Sequence, residues 1–363
     1  MTALLNLAGE LARRHDVHVF AKDGPSGRGQ YVREGARVNQ LDGSPRLLEH
    51  PSRGRRLVRL ASFASRLREG VGQVHATGAF DVLHGFWAFD PGLLAALMGR
   101  GLRVPVVLSV GGGEAVWLPD IGYGGARSWS GRARVRFALS LANAITAGSA
   151  FAARQLPDRT AARARVVPLG IRCETFAASP VRSPGPPWRL LQVADLNLVK
   201  DQETLLQAVR RIVDRLGDVS LDCIGEDTLG GRLQRRAAEL GLAQHVRFHG
   251  FLPQRALPDF YQRAHLHVVS SRYESQGVAI LEAAAAGLPT VGTAVGLLPS
   301  MAPAAARCVA VGDSAGLADQ ACALLADNLG REGVGAAAQR WAQAHDAVWT
   351  AREFESIYAE VIR

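Results

Sequence analysis

Two glutamates, Glu274 and Glu282, stand eight positions apart in the run SRYESQGVAILEAAAAGLPTVGTAVG, in a setting that lends them chemistry. The stretch AHLHVVSS (264–271) is apolar with β-branched residues near its end, the pattern of a buried strand. A short loop follows with Glu274, Ser275, Gln276 and Gly277. Val278 to Ala286 then reads as a helix, stopped by Gly287 with Pro289 beyond. A helix start behind a glycine-containing loop is an anion site: its first N–H groups lack partners within the helix, and the dipole adds positive potential. The amides of Gly277, Val278 and Ala279 are the donors expected there. Helical side chains lean toward the N-terminus, so Glu282 reaches back over the point where Glu274 stands. One carboxylate can accept from sugar hydroxyls and the other from ribose hydroxyls, with a diphosphate on the amides between them. A glutamate in a helix is usually just solvated, but the residues around Glu282 are almost all apolar or Ala. A charge buried among them without a partner would be costly.

The elements that must position this loop alternate regularly. From Trp188 onward the sequence predicts strand WRLLQVA, a helix over 201–216, strand VSLDCIG, a helix over 229–240, strand VRFHG and a helix over 255–263. The strand at 265–271, the helix at 277–286, strand PTVGT and a strand–helix pair over 307–327 complete the half. The first half alternates too, with VHVFAK, DVLHGF, VPVVLSV, AITAG and ARVVPL as strands. Alternation of this kind means parallel, doubly wound sheets of the α/β class. The Pro- and Ser-rich stretch CETFAASPVRSPGPPW (173–188) breaks the pattern and reads as a linker. Two Rossmann-like domains are expected, 1–175 and 185–344.

Ligands of such sheets bind at the carboxyl ends of the strands. Lys200 stands there after WRLLQVA and the loop DLNLV, placed to meet a diphosphate from the side opposite the helix amides. Gly225 and Glu226 follow VSLDCI, where a base or ribose would sit. In the first half the positions are Gly111, Gly112, Gly113 and Glu114 after VPVVLSV, where glycines permit close approach of a ligand.

The segment from Ser271 to Thr293 resembles the E-x7-E signature of the retaining glycosyltransferases of family 4 (glycosyl transferases group 1), which have the GT-B fold. The resemblance is carried by Ser271, Glu274, Gly277, Leu281, Glu282, Ala283, Ala285, Gly287, Pro289 and Thr293. It implies transfer of a sugar from a UDP- or GDP-linked donor to a glycan or lipid-linked acceptor, in envelope or exopolysaccharide biosynthesis, with retention of configuration and no metal or other cofactor. Lys200 and Glu274 are then the catalytic residues. Glu282, Ser275, Gln276, Gly277, Val278, Ala279, Gly225 and Phe251, the last resembling a base-contacting position, hold the donor. His84, in DVLHGF, resembles a histidine at the end of another strand of the first domain, and with Gly111, Gly112 and Glu114 it is expected in the cleft. The last helix, within 345–363, resembles one that crosses back to the first domain.

The chain also departs from that pattern. It opens inside what resembles the first helix, LLNLAGELARRH, where a strand and a glycine-rich loop are expected beforehand; a late start is the expected reason. Asp195 stands where the family has a phosphate-gripping arginine, and the Gly111–Glu114 run replaces a histidine loop. Asp195 and the absent strand favour a rival reading, a degenerate homologue that binds a sugar nucleotide without turnover; Lys200, Glu274 and Glu282 oppose it. A sugar-nucleotide epimerase would need further acid–base carboxylates, and no such set is seen.

Composition narrows the partners. The 363 residues carry a net charge of +9, with Lys22 and Lys200 the only lysines. Such a protein favours anionic partners, but no basic helix is interleaved with aromatics in the manner of a nucleic-acid reader, so nucleic acid is excluded. No run of 18 uncharged apolar residues offers a membrane span. No secretory leader is seen, Cys173, Cys223, Cys308 and Cys322 are scattered, and no metal-ligand spacing occurs. A cytoplasmic protein is expected. The segment 50–70 alternates arginines with Leu57, Val58, Leu60, Phe63 and Leu67, which predicts either a basic helix resting on the inner face of the membrane or one packed on a sheet.

Overall fold

Leu190 and Leu191 are neighbours in one strand yet belong to different cores, which is the two-residue period of a strand covered on both faces. The computed structural model describes residues 2–21, 29–41, 53–177, 182–183 and 185–363. The first half runs α1 (Thr2–Ala12), β1 (His18–Ala21), β2 (Gly29–Arg33), β3 (Ala36–Gln40), α2 (Arg53–Thr77), β4 (Leu83–Phe86), α3 (Asp90–Leu102), β5 (Val106–Val110), α4 (Trp129–Leu141), β6 (Ala144–Ala147), α5 (Ala150–Arg154), α6 (Asp158–Ala161) and β7 (Ala164–Val166). The second runs β8 (Trp188–Val193), α7 (Gln202–Leu216), β9 (Val219–Ile224), α8 (Arg232–Glu239), β10 (Val246–Phe248), α9 (Leu257–Arg263), β11 (Leu266–Val269), α10 (Val278–Ala285), β12 (Thr290–Thr293), α11 (Leu298–Met301), β13 (Ala306–Val309), α12 (Ser314–Ala326), α13 (Asn328–Ala344) and α14 (Ala347–Ile362).

In the second half six parallel strands lie in the order β10-β9-β8-β11-β12-β13, with Leu190 paired to Leu221 on one side and Leu266 on the other. On one face α7 and α12 bury Leu205, Ile212 and Leu317 against Leu190. On the other, α9 and α10 bury Tyr261, Ile280 and Leu281 against Leu191. The strand order reverses between β8 and β11, so the crevice at this switch point is flanked by the loops carrying Lys200 and Glu274. The first half has a parallel sheet β4-β5-β6-β7 and a small sheet β1-β3-β2 in which β1 pairs parallel and β2 antiparallel to β3. No described strand precedes α1, and β1 and β4 each pair on one side only. The final helix α14 lies against α1, with Leu7, Leu11, Phe354 and Ile357 in a shared core.

Some elements differ from expectation. The strands β2 and β3 were hidden because β3 ends in Asn39 and Gln40, polar residues that are nonetheless buried. Helix α13 was hidden by Gly330, Gly333 and Gly335, poor helix formers. Gly335 earns its place by contact: a Cβ there would lie 2.3 Å from the Gly287 carbonyl oxygen at the end of α10. Helix α8 starts later than expected, because Leu229–Gly231 turn first and Gly231 caps it at φ +77°. The basic helix of segment 50–70 exists as α2, but Phe63, Leu67 and Val71 are buried with Leu41, Phe20, Leu94 and Met98. The described part of its apolar stripe is therefore spent on the core. The side chains of residues 53–60, including Leu57, Val58 and Leu60, fall outside the described set. No helix among the described residues is long and apolar enough to cross a membrane.

Candidate active site

The loop Ser270–Gly277 ends in a glycine for a steric reason. Gly277 caps α10 at φ +89°, a left-handed value that favours glycine, and a Cβ there would meet the Ile280 side chain at 2.5 Å. From that point α10 is buried along Ile280–Ala285, and its run of alanines lets α13 approach closely. Val278 and Ala279, in the first turn, stay half-exposed, and the N–H groups of a first turn have no partner within the helix.

Lys200 arrives from β8 in a braced loop. The Asn197 side-chain oxygen accepts from the Val199 and Lys200 amides at 3.1 Å each, and the Lys200 carbonyl accepts from Ser270 Oγ at 2.8 Å. Arg272 N donates to the Val199 carbonyl at 2.8 Å, tying this loop to the one after β11. The lysine Nζ then sits 2.5 Å from Glu274 Oε1, which also accepts from Ser271 Oγ at 2.8 Å. Lys200 is expected across a diphosphate from the α10 amides; in the structure it forms an ion pair with Glu274. Both are part-buried, so solvent screens the pair less than it would on an open surface. Oε1 takes both bonds, which leaves Oε2 for a further donor.

Glu282, 6% exposed, accepts from the Tyr261 hydroxyl at 2.8 Å. Burial pushes its carboxyl up to about 7, opposed by that hydrogen bond. Tyr261 is the partner that a buried charge requires, and sequence reasoning missed it because it lies 21 positions away on α9.

Gly225, at the end of β9, donates its N–H to the Gly250 carbonyl at 2.9 Å, and a Cβ on it would lie 2.1 Å from the Ala194 carbonyl oxygen. The glycine is thus needed for the loops after β8 and β9 to close on each other. Asp195 is spent in that closure, since its Oδ1 accepts from Glu226 N at 3.1 Å. Phe251 stands 74% exposed just past β10, a large apolar face open to a ligand.

The first half meets the Glu274 loop through several contacts. Tyr273 donates its hydroxyl to the Gly112 carbonyl at 2.9 Å, and Ser275 Oγ donates to the Gly111 carbonyl at 2.7 Å. Ser149 Oγ donates to the Ser275 carbonyl at 2.5 Å, and Arg272 pairs with Asp120. Gly111 and Gly112 therefore lie against the loop that carries Glu274. Ser275 and Gln276 do so differently from expectation, because their side chains face the first half. Gln276 is buried, with Oε1 accepting from Leu169 N at 2.7 Å and Nε2 donating to Leu169 O at 2.8 Å. That paired bond makes it a fastener between halves.

Two further residues sit elsewhere than expected. Glu114 is wholly buried, accepting from Gly112 N at 2.7 Å, Ala88 N at 3.2 Å and Gly111 N at 3.3 Å. Burial raises its pKa and the backbone bonds work against that rise, so it organises the glycine loop from behind. His84 turns to α14: its ring nitrogens lie 2.7 Å from the Tyr358 hydroxyl and 2.7 Å from Ser109 Oγ, and burial pulls its pKa down to about 3. Both nitrogens are taken, and the ring packs on Phe86 and Phe354 away from the Glu274 loop.

Comparison with known proteins gives the family and the fold. Residues 176–341 match the family model "Glycosyl transferases group 1", and residues 2–170 match "Glycosyl transferase 4-like domain". A D-inositol 3-phosphate glycosyltransferase of Corynebacterium jeikeium is 35% identical over 159 residues, 39% of this chain and 38% of that protein. The match thus spans well under half the length of that relative. Among solved structures, a sucrose-phosphate synthase from Thermosynechococcus elongatus superposes with a TM-score of 0.78 at 19% identity, covering 98% of this chain and 91% of the other. Anabaena HepE, solved with UDP and glucose, gives 0.73 at 18% identity, covering 98% and 95%. The fold is GT-B, two parallel-sheet halves with a cleft between them.

Proposed function

We propose that this chain, which belongs to the glycosyl transferases group 1 family, transfers a sugar from a UDP- or GDP-linked donor to a glycan or lipid-linked acceptor, with retention of anomeric configuration. The observation that carries the reading is the convergence of Lys200, Glu274 and the free first turn of α10 at the switch point of the second sheet. Breaking the glycosidic bond of such a donor leaves negative charge on the diphosphate, and donors already aimed at it lower the barrier. Lys200 and the amides of Gly277, Val278 and Ala279 supply them, so the charge is met without a divalent ion. A diphosphate there would compete with Glu274 for Lys200, releasing the carboxylate to accept from the transferred sugar. Glu282 accepts from the ribose and Phe251 and Gly225 border the base. Anabaena HepE, of the same fold, has been solved with UDP and glucose, which supports a sugar nucleotide as the donor.

A lipid-linked acceptor implies work at a membrane surface, in envelope or exopolysaccharide synthesis. In this reading α4 makes the contact: Trp129 and Phe137, 77% and 51% exposed, share its outer face with exposed Arg132 and Arg136. Aromatic and basic residues on one helix face suit an anionic bilayer interface.

The testing experiment is incubation with UDP-glucose, UDP-N-acetylglucosamine and GDP-mannose, following slow hydrolysis of each donor. Release of UDP or GDP together with free sugar, abolished in Lys200→Ala, supports transferase chemistry. Tight nucleotide binding with no release from any donor would favour the degenerate homologue, and a changed sugar still joined to its nucleotide would favour an epimerase.

A further inference from the structure

We propose that Trp87 is the platform on which the acceptor's ring stacks, a pyranose or cyclitol, and that buried Glu114 positions it; the assignment rests on the sugar-transfer reading above. Trp87 directly follows β4, at the carboxyl end of the first half's parallel sheet, and its backbone has φ +64°. A bulky residue in the left-handed region is an outlier that persists only where its surroundings enforce it. Here they do. Trp87 N donates to the Ser109 carbonyl and Gly92 N donates to the Trp87 carbonyl, each at 2.9 Å. The next amide, Ala88 N, donates to Glu114 Oε1 at 3.2 Å. Gly92 can be nothing larger, since its Cβ would lie 2.4 Å from the Trp87 carbonyl oxygen.

The result of this enforced twist is exposure. Ala88 is 0% exposed and Trp87 is 43% exposed. Burying an indole is among the largest gains a side chain offers, yet this chain strains its backbone and leaves the ring partly in water. Ring and loop are in register, because Glu114 that holds Ala88 N also holds the amides of Gly111 and Gly112. A Cβ on Gly111 would lie 3.3 Å from the indole Nε1, and one on Gly112 would lie 3.4 Å from Cδ1. The carbonyls of those same glycines accept from Ser275 and Tyr273, the residues on either side of Glu274. The indole thus stands beside the loop carrying Glu274, on the half opposite Lys200.

A flat aromatic face with no charge of its own does not select a phosphate. It suits a saturated ring whose C–H groups cover one face while its hydroxyls point outward. Such a ring on Trp87 would turn a hydroxyl toward the side where Glu274 meets the donor sugar.

The test uses protein grown with 5-fluorotryptophan, which places a fluorine on each of the six tryptophans; Trp87→Phe removes one line and so assigns it. With UDP present, methyl α-D-mannoside, methyl α-D-glucoside and myo-inositol are titrated in turn. The expected result is a saturable shift of the Trp87 line with at least one probe. In Glu114→Gln half-saturation should need about tenfold more probe, the size of one lost aromatic contact, with circular dichroism confirming the fold. A Trp87 line unmoved by every probe, or a non-saturating drift shared by all lines, overturns the platform. An unchanged half-saturation in Glu114→Gln overturns the positioning role. Failure of both UDP and GDP, the latter tried in place of UDP, to bind would instead sink the sugar-transfer reading, while the Trp87 line would still report on the platform.

Discussion

Lys200 Nζ lies 2.5 Å from Glu274 Oε1, joining residues 74 positions apart in the chain. The cation suited to a leaving diphosphate and the carboxylate suited to the transferred sugar thus hold each other in place, and a ligand that engages one must renegotiate the other. Removing the lysine leaves Glu274 with Ser271 as its remaining partner. Lys200→Ala should lower turnover by on the order of 10²–10³, the usual loss for one preorganised donor. Steady-state donor hydrolysis measures it, and activity within about threefold of wild type would remove Lys200 from the mechanism.

Glu282 supplies a pH signature. Its carboxyl, held at about 7 in the fold against an ordinary 4.5, keeps a proton that the unfolded chain has lost between those values. The stability it contributes is full below about 4.5 and falls away as pH rises to about 7. Ribose hydroxyls donate best to the ionised form, so UDP affinity should rise with pH through about 7 and flatten in Glu282→Gln. Calorimetric titration of UDP across that range checks it; identical pH profiles in both proteins would refute the ribose role.

Truncating Glu114 should hurt the fold. Glu114→Ala strands the buried amide of Ala88, at about 1–3 kcal/mol for a group left unsatisfied, and takes the acceptor from the part-buried Gly111 and Gly112 amides. Urea unfolding should show the loss, with Glu114→Gln losing less because its single oxygen keeps part of the set, while its NH2 group, a donor, faces the remaining amide or amides.

Metal removal should change nothing. With the leaving charge met by Lys200 and the α10 amides, hydrolysis of the preferred donor should proceed equally in EDTA and in Mg²⁺ or Mn²⁺. A rate abolished by EDTA and restored by either ion would overturn this.

At a membrane, sedimentation with phosphatidylglycerol vesicles should exceed that with phosphatidylcholine. Reversing Arg132 and Arg136 to Glu should weaken it by roughly tenfold or more, given about 1 kcal/mol per basic residue near an anionic surface. Equal sedimentation of the double variant would remove α4 from the contact.

The sequence by itself determined the alternating α/β architecture and the cleft side of the Glu274 loop. These depend on local rules: strand periodicity, a glycine before a helix, and a loop short enough that Glu274 and Glu282 can only stand near one helix start. Lys200 was legible for the same reason, since it closes the loop after the first strand of its half. What only the tertiary structure decided is where side chains end once distant elements pack. Gln276 looked like a donor ligand from its place in the motif, but Leu169, 107 positions away, takes both ends of its amide. Glu114 and His84 sit at or near strand ends where ligands bind, yet one is claimed by three backbone amides and the other by Tyr358 and Ser109. Tyr261 and Trp87 gave no pattern at all, because a hydroxyl reaching a buried carboxylate and an indole forced outward at positive φ are products of non-local packing. A motif records which groups are available; burial, which charges for every unpaired polar group, decides which of them remain free to bind.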